Sequence, residues 1–405
     1  MGHNQSHPLT EKCFLLAAFT SVFFPLFPTI FGNAPIHLVV INIGLGVLLL
    51  ATNYNRSIRL NNLLFSWMII FCVQFGLLCI SLIQDSLNQS VGFISIFSTL
   101  KPLYTLFFLF IGYSLAFSYE QFERIIGTYF KLIIIISLIV ASYEIFFIQN
   151  GSLFYSLYKS EERYILGGKS TSWFGVSYYH SFYFLLFFVY YFICLIKRSQ
   201  NLLPALASFT LVVASQSRTL ILSMLIFIII IVLFELIKKP KAILKIGISI
   251  LLFFSLLSVF SEEIINHFWY VTVVFESLAS TGFIEFILKG SIGVRIEQII
   301  SSIDMQHYII GVGLGGKGVP LESIYASYFY RFGLVWGLIC VLFYIFIGFY
   351  LINSARGRLL YTSVGYFWIM TPISMFASPM IDFPKINFII FLITGYLIKN
   401  TIRAI

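Results

Sequence analysis

The chain alternates long apolar runs with short polar breaks, and the runs have helix dimensions. They fall at about 13–31, 35–52, 62–83, 94–117, 127–148, 176–196, 202–214, 219–237, 246–260, 325–352, 359–377 and 386–398. A helix needs ~20 apolar residues to cross the hydrocarbon layer of a bilayer, and most of these runs are of that order. Helices satisfy their own backbone N–H and C=O groups, which lipid cannot do. The pattern predicts an all-α polytopic transmembrane helical bundle of about twelve spans, one integral membrane domain over 1–405. The short run at 202–214 ends in Ser215-Gln216-Ser217-Arg218 and reads as one arm of a helical hairpin with Arg218 at its tip.

Two connections, at 149–175 and 261–324, exceed the usual ~2–8 residues between bundled helices. In the second, Ile296, Ile299, Ile300, Ile303, Ile309 and Ile310 recur near helical spacing, with Arg295, Glu297, Asp304 and Gln306 between them. That periodicity predicts an amphipathic helix over 292–310, lying on the membrane–water interface or capping a cavity.

Composition agrees with the pattern. Of the 405 residues 59% are hydrophobic and 10% charged, against about 25% charged in soluble domains. A soluble enzyme, a nucleic-acid binder and a disulfide scaffold are thereby excluded. Cys13, Cys72, Cys79, Cys194 and Cys340 lie in or beside apolar runs without CxxC spacing, so neither disulfides nor zinc are expected. The first run lacks a small-residue cleavage site and is expected to remain as a span.

The net charge of +9 is informative through its distribution. With a cytoplasmic N-terminus, the inner loops gather Arg56, Arg59, Arg124, Lys131, Lys197, Arg198, the cluster Lys238, Lys239, Lys241 and Lys245, and Arg356 and Arg358. The reverse orientation would expose the lysine cluster outside, against the positive-inside rule. Both termini are therefore expected in the cytoplasm, and both long connections on the outer face.

Lys101, Lys159, Arg163, Lys169, Arg218, Lys289, Arg295, Lys317, Arg331 and Lys385 then face outward or sit in membrane. Ionisable groups at such depth cost several kcal/mol unless they pair or line a wet cavity. Each one singly fits snorkelling or pairing with a carboxylate as well as ligand binding. Together, on one side of one bundle, they point to a shared anionic ligand. The arginine fork suits a phosphate or pyrophosphate because it grips two oxygens and stays charged. The chain also carries 24 Tyr and 46 Phe, which serve as an interfacial belt or, inside a cavity, as stacking faces for sugars.

The string Gly311-Val312-Gly313-Leu314-Gly315-Gly316-Lys317-Gly318 lacks the strand and βαβ context of a dinucleotide site. It reads as a Cβ-free turn, either a plain loop or one whose amides meet an oxyanion. Outer histidines His180, His267 and His307 have no second ligand at i+3 or i+4, so no metal is expected.

The order Ser217-Arg218-Thr219, then Gly293-Val294-Arg295-Ile296-Glu297, then His307 to Gly315, then Glu322-Ser323-Ile324-Tyr325 and Arg331-Phe332-Gly333-Leu334 resembles the Wzy-type O-antigen polymerases. It resembles the O-antigen ligases more distantly. Motif-level similarity is confined to about 215–337. The resemblance implies a C-type glycosyltransferase architecture in the bacterial inner membrane, acting at the periplasmic face on undecaprenyl-pyrophosphate-linked oligosaccharides. It implies no cofactor and no nucleic acid, and it brings in membrane lipids and a chain-length regulator protein as partners. Ligases commonly carry a His after the glycine string. Here Glu322 occupies that segment, which favours polymerase. On this reading Arg218 and Arg295 stabilise the leaving pyrophosphate and Glu322 is the base, its alternative role being a helix N-terminal carboxylate that opposes the macrodipole. Arg331, Lys169, Arg163, His307, Gly313, Gly315 and Tyr325 bind substrate. A lipid-linked oligosaccharide flippase and a non-catalytic assembly scaffold are the alternatives.

Overall fold

In a computed structural model of the chain, the apolar runs are helical wherever their cores are described. The described residues are 8–26, 36–53, 61–88, 97–146, 157–158, 169–198, 200–236, 280, 291–303, 308–312, 322–376 and 378–401. The run at 246–260 and the lysine cluster of 238–245 lie outside them, as do Arg163, His307, Gly313 and Gly315. The helices are α1 (Pro8–Phe23), α2 (Ile36–Asn53), α3 (Asn62–Asn88), α4 (Lys101–Ser114), α5 (Tyr119–Phe146) and α6 (Ser177–Arg198). They continue as α7 (Leu202–Ala214), α8 (Arg218–Leu236), α9 (Ser291–Ser301), α10 (Ile324–Ser354), α11 (Leu359–Ser374) and α12 (Pro384–Thr401). Among the described residues there is no strand.

Local chemistry sets the helix starts. Ser118 and Gln121 form a reciprocal box ahead of α5: each backbone N–H donates to the other's side chain, at 3.1 and 3.2 Å. Asn61 accepts from the Leu63 N–H at 3.1 Å before α3. Proline stands in the first turn of α1, α4 and α12, where its missing N–H costs nothing.

Four of these helices, over Asn62–Ile83, Tyr119–Ile145, Ser177–Arg198 and Ile324–Ser354, are long and apolar enough to cross a membrane. The outward faces of α2, α3, α5, α8 and α10 expose Val40, Ile69, Ile139, Leu222, Ile229, Leu342 and Phe346. Large apolar side chains displayed on so many helices are stable against lipid, not water. The chain is a helical membrane protein.

The interior is built around α12, all of whose residues from Pro384 to Thr401 are buried. It lies backbone-to-backbone on α4, because a Cβ at Gly112 would overlap the Leu392 carbonyl and one at Gly395 the Leu109 carbonyl. Small residues permit such an approach, and buried polar groups then pin it. Asn387 donates to Thr105 at 2.9 Å, Trp368 to Thr394 at 3.0 Å, and Lys399 to the Leu115 carbonyl at 2.6 Å.

Up-and-down connections sort the charges between two ends. One end holds Arg124 paired with Glu11, Arg198 paired with Glu123, and Arg358 over the Tyr119 ring. The opposite end carries the first turns of α4, α10 and α12 and the turn before α6.

The amphipathic helix α9 is shorter than its periodicity predicts, ending at Ser301 instead of near 310. The hydroxyls of Ser301 and Ser302 fold back onto the Gln298 and Ile299 carbonyls, at 3.1 and 2.7 Å. The apolar positions Ile309 and Ile310 belong to a separate turn that docks on α10.

Candidate functional site

Helix α10 is interrupted at Gly333, whose φ of 80° and ψ of 163° are non-helical. A broken ladder leaves backbone groups that a membrane cannot solvate, so another segment must meet them. Residues 308–312 do so: Val312 N–H donates to the Tyr330 carbonyl at 2.7 Å, and Val335 N–H to the Tyr308 carbonyl at 3.4 Å. The two strands of backbone lie so close that Gly311 faces the Arg331 carbonyl and Gly333 faces the Tyr308 and Ile309 carbonyls. Gly311, the first glycine of the string, thus serves a backbone contact beside Arg331.

Arg331 lies just before the break and points at Asp382. The guanidinium is 3.6 Å from the carboxylate, and Lys101 reaches the same oxygen at 2.8 Å. Tyr328, one turn before Arg331 on α10, donates to the other oxygen at 3.4 Å and bonds Tyr344 at 2.9 Å. Asp382 ends a 3-10 turn, Met380–Asp382, between α11 and α12. Asn387 fixes that turn by donating to the Ile381 carbonyl at 3.1 Å. Two cations therefore share one carboxylate, all three partly shielded, with side-chain exposures of 24%, 15% and 27% for Lys101, Asp382 and Arg331. The cavity between them measures about 20 Å³, roughly the room one water needs. That space is too small for a diphosphate as the side chains stand.

Glu322 and Arg295, 27 positions apart by their numbers, are brought together at 3.3 Å. Gln298 on the same helix accepts the Glu322 N–H at 3.3 Å, so α9 is clasped to the residue preceding the α10 cap. Ser323 is that cap, accepting from the Tyr325 N–H at 3.3 Å. The Arg295 carboxylate contact leaves its Nε buried without a partner among the described residues. Tyr325 donates to the Pro372 carbonyl at 3.2 Å, which engages it in packing α10 on α11.

The remaining cations separate by role. Arg218 opens α8, at the tip of the expected hairpin, and its side chain lies outside the described set. Lys385 is fully buried and donates to the Val22 and Trp173 carbonyls, each at 2.7 Å, so it ties α1 to the turn before α6. Lys169 adjoins that turn, which is organised by a carboxylate. Glu144, near the end of α5, accepts from the Ser170 hydroxyl at 2.8 Å, from the Thr171 N–H at 3.1 Å and from the Ser172 N–H at 3.0 Å. Beside it, burial pushes the Tyr158 phenol up to about 12, which leaves it a neutral donor to the Phe23 carbonyl.

Sequence reasoning missed Asp382 and Glu144. Both carried a signal: Asp382 is the one acidic residue after Glu322, set between Pro379 and Pro384, and Glu144 interrupts a long apolar run. An acid inside a span is a functional-site candidate by default. The structure separates the two, since Glu144 is saturated by a turn whereas Asp382 faces the partly exposed side chains of Lys101 and Arg331. No protein-family model matches the chain and no curated protein matches it, so the functional reading rests on this geometry and on the sequence resemblance.

Proposed function

We propose that the protein is a Wzy-type polymerase, joining undecaprenyl-pyrophosphate-linked oligosaccharide repeats into O-antigen or capsular polysaccharide. The observation that carries this reading is Lys101 and Arg331 sharing the single carboxylate of Asp382. In the proposed topology about twelve spans hold both termini in the cytoplasm, and 149–175 and 261–324 face the periplasm of a bacterial inner membrane. Support comes from the basic end of the bundle, with Arg124, Lys197, Arg198, Arg356 and Arg358, as cytoplasmic ends are. Reporter fusions at Arg356 are expected to read cytoplasmic and fusions at Glu276 periplasmic. A cytoplasmic signal at Glu276 would remove the outer site.

In the reaction an acceptor sugar hydroxyl attacks the anomeric carbon of the donor. A carbon–oxygen bond forms there as the bond from that carbon to the phosphate oxygen breaks. The electron pair leaves with undecaprenyl pyrophosphate, and the hydroxyl proton passes to a carboxylate. Cations fixed in a poorly hydrated site stabilise the charge that develops on the leaving group. Lys101 and Arg331 take that role, with Arg295 beside the α10 entrance. As the diphosphate draws these cations to itself, Asp382 is released as proton acceptor by the same event that seats the donor. Glu322 is the second carboxylate, released only when Arg295 turns. Asp382 is thus the stronger base candidate.

The reading is tested with purified protein in vesicles supplied with a lipid-linked repeat unit. Polymerase activity lengthens the glycan and releases undecaprenyl pyrophosphate. Movement of the repeat across the bilayer without chain growth would identify a flippase. Transfer onto a lipid A core acceptor alone would identify a ligase.

A further inference from the structure

A second site opens at the basic end, away from the proposed catalytic cluster. There α5, α6 and the start of α7 border an open groove of about 430 Å³, within the size range of small-molecule sites. Glu120, Glu123, Arg124, Gly127, Thr128 and Lys131 line it from α5, and their spacing of three and four residues puts them on one face of that helix. On the other wall Tyr191 of α6 donates to the Gly127 carbonyl at 3.0 Å. Asn201, which precedes α7 without capping it through its side chain, completes the lining.

Part of this charge is already matched, since Arg124 pairs with Glu11 and Arg198 with Glu123, the latter at 3.8 Å. Glu120, Thr128, Lys131 and Asn201 make no side-chain hydrogen bond or ion pair among the described residues. These groups are ordered along the groove. Glu120 stands in the first turn of α5, at the mouth, whereas Lys131 lies about 18 Å along the helix from its start at Tyr119. Just beyond Lys131 the helix turns Leu132, Ile135 and Ile139 outward, all exposed. Helical side chains lean toward the N-terminus of their helix, so the Lys131 ammonium leans back toward Thr128. From water inward α5 therefore presents carboxylate, hydroxyl, ammonium and hydrocarbon.

We infer that this groove binds the headgroup of phosphatidylethanolamine. The lipid's own order from water inward is ammonium, phosphate and acyl chain, which is complementary to the order along α5. Its ammonium turns to the carboxylates at the mouth, its phosphate meets Lys131 with Thr128 and Asn201 as further donors, and a chain follows Leu132, Ile135 and Ile139. An anionic headgroup would answer Lys131 but meet Glu120 without a cation, and a choline headgroup brings no N–H to donate to it. The inference stands apart from the polymerase reading and survives its failure.

The test uses the full-length protein in nanodiscs of phosphatidylcholine, alone or with phosphatidylethanolamine or phosphatidylglycerol at equal mole fraction. Retained lipid is counted by native mass spectrometry, and melting of each variant is read against its own value in phosphatidylcholine. The wild type is expected to retain phosphatidylethanolamine over both other lipids and to melt higher in its presence. Gly127→Leu fills the middle of the groove without changing a charge. A Cβ there meets only the Tyr190 hydroxyl, at 3.7 Å, and leucine is the better helix former, so the variant should fold yet lose the retained lipid. One cation near the surface contributes about 1 kcal/mol, so Lys131→Gln should lower phosphatidylethanolamine occupancy about fivefold. Glu120→Gln should narrow the preference for phosphatidylethanolamine over phosphatidylglycerol by up to about fivefold. Equal retention and equal melting increments in the wild type and all three variants would overturn the site. A wild-type preference for phosphatidylglycerol would overturn the zwitterionic headgroup, and an increment of the same size from soluble phosphoethanolamine in phosphatidylcholine discs would overturn the assignment to lipid.

Discussion

Asp382→Asn is expected to abolish chain growth while the lipid-linked donor still binds. The substitution keeps the shape of the side chain and one acceptor oxygen, but it removes the proton acceptor. A general base contributes about 10²–10⁴-fold, so a surface-polysaccharide ladder should collapse to molecules with a single repeat. Asparagine also leaves Lys101 and Arg331 facing each other without their shared counter-charge. Breaking a buried ion pair from one side costs about 3–5 kcal/mol, so protein level must be measured beside the ladder. The double variant Lys101→Met with Asp382→Asn restores the net charge of the cluster, so its protein level reports whether the single variant suffers from lost counter-charge, while its ladder also registers the loss of the leaving-group cation Lys101. Normal protein level without a ladder is the expected result. A ladder restored in the double variant would show that Asp382 acts only as a counter-ion, leaving Glu322 as the base.

Gly333→Ala is expected to inactivate the protein without touching any ionisable group. At φ 80° and ψ 163° the backbone is in a region open essentially to glycine alone, at a cost of about 1–3 kcal/mol for other residues. The added methyl would also stand 2.6 Å from the Ile309 carbonyl and 2.7 Å from that of Tyr308. It cannot be relieved by a rotamer change, because the obstacle is backbone. Segment 308–312 must move away, the Tyr330 carbonyl loses its donor, and Arg331 loses the scaffold two residues away. Loss of the ladder, with a melting temperature in detergent lowered by several degrees, is the expected outcome. Gly76→Ala serves as the control, since nothing lies within 4 Å of its added methyl. Wild-type behaviour of Gly333→Ala would show that the break is not needed to aim Arg331.

The apolar runs by themselves determined that the chain is a helical membrane protein, because helix formation in lipid is a local matter of about 20 successive apolar residues. They also marked the turn between α7 and α8, where Ser215-Gln216-Ser217 stands as the apolar run stops, although α7 packs mainly on α6 and not on α8. The unusual depth of Lys101 and Arg331 was equally legible, since a cation among apolar residues stands out in any window. Their partner was not. Lys101, Arg331 and Asp382 lie on three elements far apart in the chain; the packing of α12 against α4, through Gly112 and Gly395, carries the Met380–Asp382 turn to Lys101, and the close packing of α10 on α11, through Gly348 and Gly365, brings Arg331 to the same turn. Tertiary structure likewise decided which cations are spoken for: Lys385 is consumed by two carbonyls, and Arg295 is matched to Glu322. The break at Gly333 belongs to the same class. Its glycine is visible in the sequence, but a glycine in an apolar helix is equally consistent with a continuous ladder. What forces the break is the turn at 308–312, a segment more than twenty residues upstream whose backbone takes over the hydrogen bonds that α10 gives up.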